Sequence, residues 1–254
     1  MQALAHYQKA YIYRPENPRY GQAYANLLYQ ENSFREAEPV YENVLKIRRD
    51  QAKTNPQAYL PYVAGTLNNL AVLYSVTQRL KEAYDAYAEA LQTYRDLAKT
   101  NPQAYLPYVA TTLNNLAVLY SDTQRLKEAG DAYAEALQTY RDLARTNPQA
   151  YLPDVATTLD NLGNLYSNTQ RLKEAYDAYA EALQIRRDLA RTNPQAYLPN
   201  VATTLNNLGT LYKSEGDDSK ATSFCTEATA IFKQLAEGDP DRFGPSVKKV
   251  CEKE

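Results

Sequence analysis

The string TNPQAYLP begins at Thr54, Thr100, Thr146 and Thr192, a constant spacing of 46 residues. A period of that size specifies an array, in which each unit buries its apolar face only against its neighbours. Cut at the leucine, the units run 60–105, 106–151, 152–197 and 198–243. The first two differ only at Gly65/Thr111, Val76/Asp122, Tyr84/Gly130 and Lys99/Arg145, whereas the fourth drifts after Tyr212.

Each unit reads as two helices. In the first, Leu67, Leu70, Leu73 and Tyr74 recur at three- and four-residue spacing, the mark of an amphipathic helix. Pro61 is expected in its first turn, where a missing N–H costs nothing, and Ser75–Gln78 is expected to form the turn. The second helix is expected from about Arg79 to Lys99, with Leu80, Ala83, Tyr87, Ala90, Leu91, Tyr94 and Leu97 on one face. Asn101-Pro102 ends it, because proline disfavours a helical residue before it. Ala83 and Ala90 would let neighbouring helices approach closely.

The spacing Leu67-x2-Leu70-Ala71-x2-Tyr74, then Ala83-x3-Tyr87-x2-Ala90, resembles the tetratricopeptide repeat. Gly163 and Gly209 in the third and fourth units come closer still to that signature. Arg95 stands where the family's usual proline would end the second helix, so the unit is a lengthened version. TLNNLAVLY, at Thr66–Tyr74 and Thr112–Tyr120, is similar to the repeats of kinesin light chain and of long-repeat bacterial scaffolds. The resemblance covers essentially the whole chain. It implies an all-α, right-handed superhelical solenoid of antiparallel helix hairpins, a single array over residues 1–254.

The ends fit the same scheme. Residues 3–13 read as the second helix of an incomplete repeat, and 14–59 as the first full repeat. Gly244-Pro245-Ser246-Val247 matches Leu60-Pro61-Tyr62-Val63, so a capping helix is expected over 244–254, solvated by Lys248, Lys249, Glu252, Lys253 and Glu254. A natural C-terminus on a chain cut from a longer protein is the expectation. The alternative is a native chain whose first helix docks elsewhere.

Composition narrows the function. The chain has 254 residues and a net charge of -2, with no electrostatic footprint for nucleic acid or an anionic membrane surface. A mean hydropathy of -0.63 and the lack of an apolar run near 18 residues argue against a transmembrane helix. No leader pattern follows Met1, and a cytoplasmic location is expected. Cys225 and Cys251 are too few for a disulfide framework and fit a reducing compartment. Cys225 takes the column of Tyr87 and is expected as a small buried core residue, and Cys251 as packed on the cap beside Val247 and Val250. The lone histidine, His6, has no metal-binding neighbours, and no common nucleotide, zinc or nucleophile motif occurs. No enzyme, cofactor or metal site is expected.

The resemblance implies that the first helix of each pair lines a concave groove. Its exposed stripe reads Tyr62, Gly65, Asn69, Val72, Val76, then Tyr108, Thr111, Asn115, Val118, Asp122. It continues as Asp154, Thr157, Asn161, Asn164, Asn168, then Asn200, Thr203, Asn207, Thr210, Ser214. The stripe passes from aromatic and apolar to wholly polar. An asparagine amide both donates and accepts, matching the two backbone groups of an extended peptide, so Asn69, Asn115, Asn161 and Asn207 are expected as a ligand-contacting ladder. Tyr62 and Tyr108 would anchor ligand side chains. The first three units carry no lysine or arginine on this stripe and Lys213 is a weak substitute, which disfavours an acidic peptide terminus as ligand. The expected function is a protein- or peptide-binding scaffold. The alternatives are a sensor or regulatory arm of a larger multidomain protein, and a rigid spacer or array self-associating through residues 3–13.

Overall fold

The computed structural model describes residues 2–251, so Glu252, Lys253 and Glu254 of the expected cap lie outside the described residues. Among the described residues there are twelve α-helices and no strand. They are α1 (Gln2–Tyr13), α2 (Pro18–Gln30), α3 (Phe34–Thr54), α4 (Pro56–Val76), α5 (Leu80–Thr100) and α6 (Pro102–Asp122). The series continues with α7 (Leu126–Thr146), α8 (Pro148–Asn168), α9 (Leu172–Thr192), α10 (Pro194–Ser214), α11 (Asp218–Gly238) and α12 (Pro240–Lys248). Two compact units divide within α7, between Ala132 and Tyr133. In unit 1, α2 to α6 each pack on the helices next in sequence, and in unit 2 α8 to α12 do the same.

The TNP motif makes the helix start. Asn55, Asn101, Asn147 and Asn193 are N-caps whose side-chain oxygens accept from the N–H of Ala58, Ala104, Ala150 and Ala196 at 3.2–3.3 Å. The following proline takes the first helical position, where its missing N–H is harmless. This corrects the expected start at Pro61: α4 begins at Pro56 and carries Pro61 in its interior. Pro61 leaves the Gln57 carbonyl without its usual donor, and Gln57 is exposed, so water can serve it. The same shift applies at the C-terminal end, where Asp239 caps a helix starting at Pro240, ahead of the expected Gly244.

The turns are tighter than the expected four residues. Gln78, Gln124 and Gln170 adopt left-handed conformations with φ of 61°, 60° and 59°. Arg79 N–H reaches back to the Tyr74 carbonyl at 2.8 Å and Gln78 N–H to Ser75 at 3.1 Å, the Schellman closure. The Arg79 guanidinium then lies over the Tyr74 ring at 4.4 Å; Arg125 on Tyr120 and Arg171 on Tyr166 repeat it, each at 4.3 Å. In the last such turn the left-handed residue is Gly216, with φ 80°.

Small residues set the hairpin spacing. A Cβ on Gly163 would come within 2.5 Å of the Tyr179 ring, so the ring lies directly on the α8 backbone. Ala83, Ala90, Ala175 and Ala182 are fully buried on the second helices. Thr66, Thr112, Thr158 and Thr204 are also buried, each hydroxyl donating to the carbonyl four residues back at 2.8–3.1 Å. Outside, Arg49–Glu89, Arg141–Glu181 and Arg187–Glu227 pair at 2.6 Å across successive second helices, with side chains nearly half exposed and each pair worth little.

The cysteines correct the sequence expectation. Cys225 and Cys251 form a disulfide, and among the described residues neither is a free thiol. Cys251 is buried, while Cys225 is only half-buried. Their separation of 26 residues gave no sign of the pairing, because the turn after α12 is what brings Cys251 back onto α10 and α11.

Left-handed glutamine costs energy that glycine avoids. Gln78→Gly is expected to raise unfolding free energy by about 0.5–1 kcal/mol, and Gly216→Gln to lower it by a similar amount, both read from urea denaturation.

Candidate peptide-binding surfaces

In unit 1, α4 and α6 present Tyr62 and Tyr108, each 52% exposed. These two rings, with Asn69 and Thr111, line a cavity of about 700 Å³. Tyr108 stacks on Tyr94 of α5, with ring centroids 5.1 Å apart and planes 14° off parallel. Arg48 of α3 lies 5.4 Å from the Tyr62 ring centroid. Asn68 and Tyr105 complete the wall, and the buried Asn68 Oδ1 has no hydrogen-bond partner among the described residues. Burial lifts the Tyr94 hydroxyl above the ordinary tyrosine range, and hydroxyls and amides line the cavity around Arg48.

Asn69 and Val72 also border a smaller cavity of about 270 Å³ with Asn26 and Tyr41. There the Asn69 amide lies 3.4 Å from Asn26 Oδ1, which also accepts from Tyr41 at 2.8 Å. On α6, Asn115 is half-buried and Val118 and Asp122 are exposed. Thr111 spends its hydroxyl on the Pro107 carbonyl at 2.9 Å.

In unit 2, Asn164, Asn168 and Asn207 share a polar cavity of about 640 Å³ with Ser167, Asn206, Thr210 and Ser214. Asn164 Oδ1 accepts from Tyr179 at 2.6 Å, which orients its amide. Asn161 is half-buried, and Thr157 and Thr203 are exposed with hydroxyls donated to Pro153 and Pro199 at 3.0 Å. Asp154 is half-buried, and burial raises its carboxyl above the usual range. Lys213 donates to the Cys251 carbonyl at 2.9 Å, and the cation on this cavity is instead Lys249, expected only as part of a solvated cap.

Beneath each surface lies a buried polar cluster that the helix-face reading missed. In unit 1, Arg48 Nη1 donates to Thr66 at 2.5 Å, Gln22 at 2.6 Å and the Tyr62 carbonyl at 3.3 Å. In unit 2, Arg186 takes the same place, pairing with Asp160 and donating to Thr204 at 2.6 Å and the Asn200 carbonyl at 3.1 Å. One repeat beyond Arg48 the column holds Tyr94, with Asn68 in place of Gln22. Comparing second-helix columns across units would have exposed this alternation.

Burial raises the Asp160 carboxyl from 3.8 to about 6, although Arg186 and Thr204 favour its charged form, and burial also lowers Arg186. The folded state therefore holds this proton more tightly than the unfolded chain does. Asp160's contribution to stability is complete below about pH 4 and is lost as pH rises through about 6, an effect of about 3 kcal/mol at most. The Asn68–Tyr94 arrangement supplies the control. The pair Asp160→Asn with Arg186→Tyr is expected to be neutral or stabilising at pH 7 and to lose that pH dependence. Arg186→Tyr alone, which strands a buried carboxylate, is expected to cost about 3–5 kcal/mol at pH 7 by urea denaturation.

Comparison with known proteins fits this architecture. The model of the tetratricopeptide repeat family matches residues 62–142, 108–188 and 154–234. No curated protein matches the sequence. Among solved structures, BtubC (BKLC) from P. vanneervenii is 26% identical, with a TM-score of 0.70, covering 92% of this chain and 88% of that one. A kinesin-light-chain-like protein of Podosopora anserina with nearly identical TPR-like repeats is 19% identical, with a TM-score of 0.67 and coverage of 88% and 98%. The Rap conjugation gene regulator of the plasmid pLS20, solved in complex with a Phr peptide, is 15% identical with a TM-score of 0.63. That match covers 89% of this chain and 55% of the regulator. Scaffolds of this repeat are typical of protein–protein interaction. Capped helix pairs, small-residue hairpin contacts and the family match over 62–234 agree: this chain belongs to the tetratricopeptide repeat family.

Proposed function

We propose that the chain binds a protein or peptide segment on the exposed faces of its first helices. The observation that carries this reading is the unit 1 cavity, where two half-exposed tyrosines, Tyr62 and Tyr108, flank the Asn68 and Asn69 amides. Exposed rings around a concavity offer apolar area, and amides beside them match the backbone of an extended chain. The Asn68 oxygen, without a donor among the described residues, adds an acceptor at the wall. Unit 2 offers a second, amide-rich surface in Asn164, Asn168 and Asn207, with Asn161 on the same face of α8; Asn115 holds the matching position on α6 of unit 1. A segment presenting apolar or aromatic side chains suits unit 1, and one presenting polar side chains suits unit 2. The regulator solved with a Phr peptide, similar in fold, supports a peptide as the kind of ligand. No helix among the described residues is long and apolar enough to cross a membrane.

A displayed peptide library, selected on the wild-type chain, tests the reading. Enriched peptides are expected to lose about tenfold or more in affinity for Tyr62→Ala/Tyr108→Ala or for Asn115→Ala/Asn161→Ala, with little change in melting temperature. The absence of any enriched peptide, or equal binding by all three proteins, would overturn it.

A further inference from the structure

The last described segment is fastened across the end of unit 2 by several independent contacts. The Cys251 N–H donates to Asn206 Oδ1 at 2.6 Å, and its carbonyl accepts from Lys213 Nζ at 2.9 Å. Val250 packs on the core cluster that holds Leu205, Leu208, Leu211 and Ala228. Gly209 makes room for the disulfide, since a Cβ there would lie 2.6 Å from both sulfurs. Cys251 itself has φ 53°, a left-handed conformation unfavourable for any residue bearing a side chain. Nothing in its local sequence favours this turn. It is held by what it is tied to.

Two cavities give the tie consequences. One of about 520 Å³ is lined by both Cys225 and Cys251, so the bond is open to a small thiol. The other is the asparagine-lined depression of unit 2, whose single lysine, Lys249, comes from this same turn. The chain contains only these two cysteines, so any response to a reductant reports on this bond alone.

We infer that the Cys225–Cys251 disulfide is a redox latch controlling the unit 2 docking surface, an inference that rests on the docking function proposed above. A thiolate of a dithiol reductant attacks the Cys225 sulfur, forming a mixed disulfide and releasing Cys251 as a thiolate that takes up a proton. The second thiol of the reductant then displaces Cys225, which leaves with a proton, and the reductant departs as a disulfide. Two electrons and two protons pass to the protein. Once the bond is open, the left-handed turn relaxes, α12 and residues 249–251 lift away, and Lys249 leaves the depression. The oxidised form thus presents the amides with one cation, and the reduced form presents them without it and with a wider mouth.

Hydrogen exchange on the oxidised and dithiol-treated protein reads the latch without any ligand. Amides of 244–251 and of Asn206–Leu211 are expected to exchange about tenfold faster or more after reduction, with those of unit 1 unchanged. The Cys225→Ser/Cys251→Ser variant should match the reduced pattern whether or not dithiol is present. Unchanged exchange on reduction, or a dithiol response surviving in that variant, would overturn the latch. The displayed library, selected on the oxidised protein, reads the regulation: peptides lost to Asn164→Ala/Asn207→Ala should change affinity about fivefold or more on adding dithiol. Unchanged affinity with accelerated exchange would overturn the regulatory role while leaving the docking reading intact. No enriched peptide at all would overturn the docking reading and, with it, that role.

Discussion

Close approach within each helix pair is the constraint on which the rest depends. A hairpin of two 21-residue helices has more apolar surface than it can bury by itself. It is stable only where small residues let a ring from the second helix lie on the backbone of the first. Gly163 under Tyr179 is the plainest case, and Gly209 under the disulfide replaces the ring by two sulfurs at the same place. Once that distance is set, the buried threonines meet the second helix of the preceding pair, as Thr66 meets Arg48 and Thr204 meets Arg186. The helix starts and turns are then determined locally by Asn-Pro caps and by left-handed closures with an arginine over a tyrosine.

The same packing explains why the proposed docking faces fall on the first helices. Their outward stripe is less constrained by packing than the inward face, so these positions vary between near-identical repeats while the inward leucines do not. Val72 and Val118 stand where Asn26 and Asn164 receive a hydrogen bond from the tyrosine of the partner helix. At Asn26 and Asn164 this column supplies the acceptor for the tyrosine hydroxyl inside the hairpin. Some of the amides on the stripe are thus partly structural and partly available.

The buried clusters show a further economy. Arg48 with Gln22 and Arg186 with Asp160 occupy a layer that a tyrosine and an asparagine fill at Tyr94 and Asn68. Two solutions to one space, ionic and neutral, coexist in a single chain. The ionic one carries the larger desolvation cost, visible in the raised carboxyl of Asp160.

The 46-residue period, the helix pairs, the inward leucines and alanines and the outward stripe were legible in the sequence, because periodicity reports directly on which residues share a helix face. Helix starts were misread by several residues, since Pro61 and Pro56 both suit a first turn and only the Asn55 cap distinguishes them. Of the stripe, Tyr62, Asn69, Tyr108 and Thr111 come together around one cavity, and Asn164, Asn168 and Asn207 around another. Tyr94 and Lys249 join those walls from elements that a one-helix reading does not consult, and Tyr105 from a different face of α6. The Cys225–Cys251 bond lay beyond the sequence for the same physical reason, and the burial of Arg48 and Arg186 showed only in a comparison of second-helix columns across units. A repeat dictates what each helix shows to its neighbours, but which side chains from different helices meet, and which charge is closed away from water, is decided only when the helices pack.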